Sequence, residues 1–391
     1  MRLLFLAPAP PAPGLGGGAL RMYCMARFLG ERFAVDLVAP TGEGVEDSEK
    51  LLKGICGELK FVQPSPGILR RRLLRLGPYE RDRALSETIH RCLATRAYAA
   101  VHVEKPAMLP YLPRNLSVPV VLDTFAYGLT GALRAVRHSA GLLMRVRNLL
   151  RLIRHAAFDA FCWPQTHCIL VVSEVDRQRC LRERPGRKVL VIPNGVDCRA
   201  MRPGPFREGG PHVLLFTGDM GFDPNVQAAE TLARRVFPEV RPRHPDAELH
   251  LVGRNPHPRV LALCGPGVAV TGEVPDMAPY LQAATVYVAP LATGAGTRTK
   301  LLEAIAAGLP VVTTRVGIEG ICAVNGQQVL LGDDPEDFTA AVLALLSNPT
   351  ERRRLGAAAR RLAEDLYDWP RCLAPLEGLY GGLLSARSVR C

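Results

Sequence analysis

Six residues able to manage a phosphate and a sugar stand close together late in the chain: Gly294, Gly296, Thr297, Arg298, Lys300 and Glu303. The preceding Val286-Tyr-Val-Ala run reads as a buried strand, so the glycines fall in a strand-to-helix loop and Thr297 is expected to cap the helix. A helix start offers unpaired N–H groups and partial positive charge, which suits a diphosphate. Arg298 and Lys300 then place two cations in the first turn, where the helix dipole disfavours them, and a bound anion would give that placement a reason. Glu303, further along the helix, could accept hydrogen bonds from ribose hydroxyls. The competing reading is an ordinary strand–loop–helix with surface charges.

A second glycine run, Gly14-Leu-Gly16-Gly17-Gly18-Ala19, follows the first apolar segment and fits a dinucleotide-binding pattern. A Pro-Ala-Pro-Pro-Ala-Pro run separates it from that segment, too long for a tight Rossmann turn, and Asp36 falls inside its strand where a ribose-binding acid should end it. A flexible structural loop and a cleft loop near donor phosphates are the other two readings. His102, Glu104, Asp123 and Tyr127 follow or lie on two further apolar runs, near strand ends where α/β proteins bind ligands. A lone histidine in a strand is equally a satisfied core residue.

These groups need a scaffold, and the apolar runs supply it. Segments of four to six residues without polar alternation recur at Leu3–Ala7, Ala34–Val38, Ala100–Val103, Val118–Leu122, Ile169–Ser173 and Val189–Ile192. A second series lies at Val213–Thr217, Glu248–Val252, Val268–Thr271, Val286–Ala289, Val311–Thr313 and Val329–Leu331. Strands covered on both faces and alternating with helices predict an α/β protein with two doubly wound parallel sheets. With 391 residues, two domains are expected: residues 1–192, and residues 193–370 after a Pro- and Gly-rich linker. The last helix, 371–391, is expected to pack back on the first domain.

The formal charge of +12 suits an anionic partner. The 11 cysteines form no CxxC pair or zinc-spaced cluster, which reads as reduced thiols and a cytoplasmic location. The apolar start is too short for a secretion signal, and no segment reaches the length of a membrane span. Arg134, Arg137, Arg145, Arg147, Arg151 and Arg154 lie between Thr124 and Phe158 without an acid, and Leu69–Leu76 is also arginine-rich. Peripheral contact with an anionic membrane at its inner face, delivering a lipid-linked acceptor, and a solvated face are both open readings. No aromatic interleaving or known motif supports nucleic-acid binding.

The stretch from Val286 to Val312 resembles the donor-site signature of the retaining group-1 glycosyltransferases of GT-B fold, in a branch serving polysaccharide biosynthesis. Ser173-Glu-Val-Asp176, Ile192-Pro-Asn-Gly-Val-Asp197, Gly218-Asp-Met-Gly-Phe-Asp-Pro-Asn225, His250-Leu-Val-Gly253 and Thr271-Gly-Glu-Val-Pro-Asp276 extend the likeness. The resemblance implies two Rossmann-like domains facing a cleft, with a nucleoside-diphosphate sugar as substrate, no cofactor and no metal. It also implies transfer of the sugar to a hydroxyl of a glycan or lipid-linked glycan, with retention of configuration. Gly218, Gly253, Val274, Gly294, Gly296, Thr297 and Glu303 would bind the donor, and Gly16, Gly17 and Gly18 would line the cleft. Arg298 and Lys300 would stabilise the leaving diphosphate, and Asp123 would contact the sugar. The sequence departs from the pattern in two places. Ala295 stands where many relatives carry a second glutamate, and Gly218–Glu230 contains no Arg or Lys. A nucleotide-sugar 2-epimerase or a silent partner subunit on the same fold are the alternatives.

Overall fold

The structure is a computed structural model and describes residues 2–65, 82–124, 136, 141, 144–150, 152–153, 166–206, 208–293 and 297–388. Residues 1–194 with 372–391 form one compact unit, and residues 195–371 form a second.

The first unit is built on seven parallel strands: β1 (Arg2–Leu6), β2 (Ala34–Pro40), β3 (Glu58–Val62), β4 (Ala100–Glu104), β5 (Val120–Thr124), β6 (Cys168–Val171) and β7 (Val189–Val191). Their order is β3-β2-β1-β4-β5-β6-β7. The strands β4, β5 and β6 are buried throughout, because each is an unbroken apolar run held between helical layers. Two features differ from the pattern expected of the sequence. The strand β3 is an edge strand, half-buried at every position, and carries too few apolar residues to stand out. The strand β5 starts two residues later than its apolar run suggests, so Asp123 lies inside the strand and not beyond it. The helices α1 (Gly17–Gly30), α2 (Val45–Leu52), α3 (Arg83–Thr95) and α4 (Glu174–Glu183) connect these strands. Ser173 caps α4 by accepting from the Asp176 N–H, the function of its Ser-x-x-Asp motif.

The second unit holds six parallel strands: β8 (Val213–Thr217), β9 (Glu248–Val252), β10 (Val268–Val270), β11 (Val286–Ala289), β12 (Val311–Thr313) and β13 (Leu330–Leu331). They are ordered β10-β9-β8-β11-β12-β13. Among its helices are α5 (Asp223–Thr231), α6 (Ala278–Ala283), α7 (Thr299–Ala306), α8 (Arg315–Ile318), α9 (Pro335–Ser347) and α10 (Pro349–Leu362). Leu301, Leu302, Ala304 and Ile305 turn the apolar face of α7 into the core, which fixes the opposite face of that helix toward polar surroundings. The final helix, α11 (Trp369–Ser388), starts in the second unit, and its residues from Cys372 onward belong to the first. In both sheets the strand order reverses once, between β1 and β4 and between β8 and β11. Open α/β sheets bind ligands at the carboxyl ends of the strands at such a reversal.

Candidate functional site

In the second unit, Gly218 ends β8 and Gly253 ends β9, with φ of +148° and +149°. A Cβ at residue 253 would overlap the Gly218 carbonyl oxygen, so the two strand tips meet backbone to backbone. The Gly218 N–H donates to Val252 O at 3.0 Å, and the Gly253 N–H donates to Gly272 O at 3.1 Å. A Cβ at 218 would lie 2.5 Å from Lys300 Nζ. The φ at both positions favours glycine, and at 253 the backbone of Gly218 leaves no room for a side chain as well.

Lys300, in the first turn of α7, reaches over this surface. Its Nζ donates to Asn225 Oδ1 at 2.6 Å and lies 4.7 Å from the centre of the Phe216 ring. Asn225 is itself oriented, its Nδ2 donating to Asp219 O at 2.8 Å. Burial, and next the Arg298 charge, lower the Lys300 pKa to about 7. Burial raises Glu303 to about 7 against the opposing pull of Lys300. An ammonium and a carboxyl a turn apart are thus both poorly charged near neutrality.

The approach to α7 is tied down from the neighbouring loop. The Thr314 hydroxyl donates to Leu291 O at 2.6 Å, and Arg298 Nη2 donates to Val316 O at 3.4 Å. Thr297 is buried, yet its hydroxyl oxygen has no hydrogen-bond partner among the described residues. An unpaired buried hydroxyl costs about 1–3 kcal/mol, which an incoming oxygen would recover. Thr297 is not the helix cap expected of it. The helix begins at Thr299 with Arg298 at the cap position and no side chain capping. Arg298 therefore stands at the mouth of the helix, and only Lys300 lies in its first turn. Gly294, Ala295 and Gly296 lie outside the described residues. Val274, beyond β10, is half-buried against the core of its unit.

In the first unit, Gly16 precedes α1, while Gly17 and Gly18 form its first turn. One turn further, Arg21 is fully buried, which neither the glycine run nor the apolar pattern announces. Its Nε and Nη2 donate to the two carboxylate oxygens of Asp123 at 2.7 and 3.0 Å. Its remaining N–H groups reach Ile192 O at 2.9 Å, Pro193 O at 2.9 Å and Asn194 Oδ1 at 3.1 Å. Asp123 therefore does not present a free carboxylate at a strand end. It is fully buried in mid-sheet, with both oxygens taken, and braces Arg21.

Glu104 pairs in register with Asp123 on the adjacent strand and is also fully buried. Burial, and then the Asp123 charge, push its pKa up. His102 is a core residue. Its ring stacks on Phe5 at 4.6 Å, Nδ1 lies 2.6 Å from Tyr380 Oη and Nε2 lies 3.1 Å from Glu104 Oε1. The tautomer protonated on Nε2 satisfies both contacts, with the Tyr380 hydroxyl donating. Tyr127 lies outside the described residues.

Asp36 is likewise structural, accepting from Arg2, Arg96 and Tyr98. Besides Arg21 and Tyr380, the sequence reading passed over Asn225 and Arg254. Arg254 follows Gly253 directly, its Nε donating to Asp219 Oδ2 at 3.2 Å. Both sit within or beside glycine motifs already marked, and that adjacency was the available signal.

A cavity of about 430 Å³ lies elsewhere in the second unit, lined by Pro203, Phe206, Ala284, Gly308 and Arg361 among others. Thr285 and Pro310, also in its wall, precede β11 and β12, which puts it at the opposite end of the sheet from Lys300. Of the arginine-rich stretch after Thr124, Arg145 and Arg147 are exposed on a described helical segment at 144–150, beside exposed Met144, Leu149 and Leu150. Arg134, Arg137, Arg151, Arg154 and the Leu69–Leu76 cluster lie outside the described residues. No described helix is long and apolar enough to cross a membrane.

Two parallel sheets of seven and six strands, each reversing once with a glycine loop or glycine tip at the reversal, define a protein of GT-B fold. Residues 15–200 match the family model described as Glycosyltransferase Family 4, and residues 211–348 match Glycosyl transferases group 1. The chain belongs to this family of group-1 glycosyltransferases. It is 29% identical over 222 residues to a phosphatidyl-myo-inositol mannosyltransferase of Mycolicibacterium smegmatis, covering 54% of this chain and 56% of that protein. It is 31% identical over 229 residues to the GDP-mannose-dependent alpha-(1-6)-phosphatidylinositol monomannoside mannosyltransferase of the same organism, covering 52% and 59%. The chain thus spans less than two thirds of the length of these relatives. Among solved structures, sucrose-phosphate synthase from Thermosynechococcus elongatus superposes with a TM-score of 0.74 at 18% identity, covering 99% of this chain and 100% of that one.

Proposed function

We propose that the protein transfers a sugar from a nucleoside-diphosphate sugar to a hydroxyl of a glycolipid or lipid-linked glycan, with retention of configuration. The observation that carries this reading is Lys300. A lysine held over two touching glycine strand tips, with its charge suppressed by burial, makes no ion pair among the described residues to offset that burial. A diphosphate beside Gly218 would restore its full charge, and the Thr297 hydroxyl and the Arg298 guanidinium stand on the same approach. As the anomeric bond breaks, negative charge grows on the departing diphosphate, and cations already oriented toward it stabilise that change without reorganising. Glu303 would accept from the ribose hydroxyls of the donor, which requires its carboxylate form. Family membership supports retention and a cofactor-free, metal-independent reaction. The relatives' names favour a mannosyl donor and an inositol-lipid acceptor as the first pair to examine.

The test is a thermal-shift panel of nucleoside diphosphates and their sugars, followed by transfer of labelled sugar to lipid acceptors. Stabilisation by one diphosphate, lost in Lys300→Met, with acceptor-dependent product, is the expected result. Binding unchanged in Lys300→Met would overturn the assignment of the site.

A further inference from the structure

At the end of the second sheet remote from Lys300, we propose a divalent transition-metal site of the zinc class, formed by His212, His244 and Asp246. The ligand atoms of these three residues all lie within 4.8 Å of one another. They come from two separate chain segments. His212 immediately precedes β8, while His244 and Asp246 occupy the turn that leads into β9.

That turn is held by its own backbone. The His244 N–H donates to Val240 O at 3.0 Å, and the Ala247 N–H donates to His244 O at 2.9 Å. The Glu248 N–H donates to His212 O at 2.9 Å, which fixes the two segments side by side. The two imidazoles meet edge to face, with ring centres 5.1 Å apart, an arrangement without a hydrogen bond between them. Ser347 Oγ lies 3.5 Å from His244 Nε2 and can orient that ring from outside the site.

Two imidazoles, one carboxylate and an open position for water form a donor set suited to zinc. Zinc–ligand distances of about 2.0–2.2 Å require the three donors to close by about 1 Å, within reach of side-chain rotation because neither histidine is fully buried and Asp246 is exposed. The Arg352 guanidinium acts on His212 but is turned to the carbonyls of Leu345, Leu346 and Glu208. The site therefore binds more weakly than a closed structural zinc site. Its occupant would staple the start of β8 to the turn before β9, independently of any sugar transfer at the other end of the sheet.

The experiment is competition between the metal-stripped full-length protein and a chromophoric zinc indicator, with zinc ion as the only ligand. One zinc per chain is expected in the wild type, and the same in Cys264→Ser/Cys322→Ser and in His250→Asn, which remove two exposed thiols and another imidazole of this unit. His244→Asn and Asp246→Asn should each lose that equivalent while unfolding at the wild-type temperature in the absence of metal. Should His244→Asn misfold, Asp246→Asn, on an exposed residue, decides alone. Affinity should fall at least about tenfold from pH 7 to pH 5.5, because both imidazoles must be neutral to bind. Zinc binding that survives in Asp246→Asn and His244→Asn, or that vanishes with the cysteines, would overturn the proposal.

Discussion

The two sheets reverse their strand order in the same way, yet polar residues are treated oppositely at the two reversals. In the first unit Arg21, Asp123, His102 and Tyr380 are fully buried and hydrogen-bonded, the arginine alone making five hydrogen bonds, and the one orphan beside them among the described residues is Glu104 Oε2. In the second, Lys300 and Glu303 are pushed toward their neutral forms, and the Thr297 hydroxyl has no partner among the described residues. A network in which almost every group is paired rigidifies, whereas one whose charged groups are held near their neutral forms is poised to gain from a ligand. On the function proposed above, the first cluster holds the fold and the second would receive the donor's diphosphate.

This contrast can be broken in order of expected effect. Asp123→Asn leaves the Arg21 charge buried without its partner and should lower the free energy of unfolding by about 3–5 kcal/mol, read by urea denaturation. A loss below 1 kcal/mol would erase the distinction from the structural side. Lys300→Met should act the other way. Transfer should fall about 10²–10³-fold, while the ligand-free protein should unfold no more easily than the wild type in the same urea series. A destabilised but active Lys300→Met protein would reverse the two roles.

Proton linkage sharpens the second site. Glu303 carries a raised pKa, so the ligand-free fold loses a stabilising contribution as pH climbs from about 4.5 to about 7. Lys300 carries a depressed pKa, so its unfavourable contribution is full below about 7 and is relieved as pH rises toward 10.5. Together they contribute least favourably near pH 7, and Lys300→Met/Glu303→Gln should flatten that dip in a denaturation series from pH 5 to pH 10. For the same reason, nucleoside-diphosphate affinity should weaken above pH 7, by no more than about tenfold per pH unit, as Lys300 gives up its proton. The smallest effect is expected of Glu303→Gln alone, which should weaken donor binding by about 1 kcal/mol.

Much of the scaffold could be read in advance because buried parallel strands are continuous apolar runs. The strand β3 could not, since an edge strand is half-wet and need not be apolar. The glycine, lysine and glutamate positions near α7 stood out by type and spacing. The start of that helix did not, because two residues on either side of a loop-to-helix junction have no compositional marker. Arg21 and Asp123 lie 102 residues apart, and no local pattern signals that a lysine- or arginine-rich chain has sent one particular guanidinium inward. The same lack of long-range information made Asp123 look like a strand-end carboxylate and His102 like a candidate for sugar contact.

The touching backbones at Gly218 and Gly253 also limit how such a protein can change its substrate. A side chain at 253 would part β8 from β9, and one at 218 would be strained at its φ and push on Lys300 and Asn225, so neither is available for tuning which nucleotide is preferred. Variation is left to the residues that flank the contact, chiefly Asp219 and Arg254, and a library aimed at a new donor would begin there.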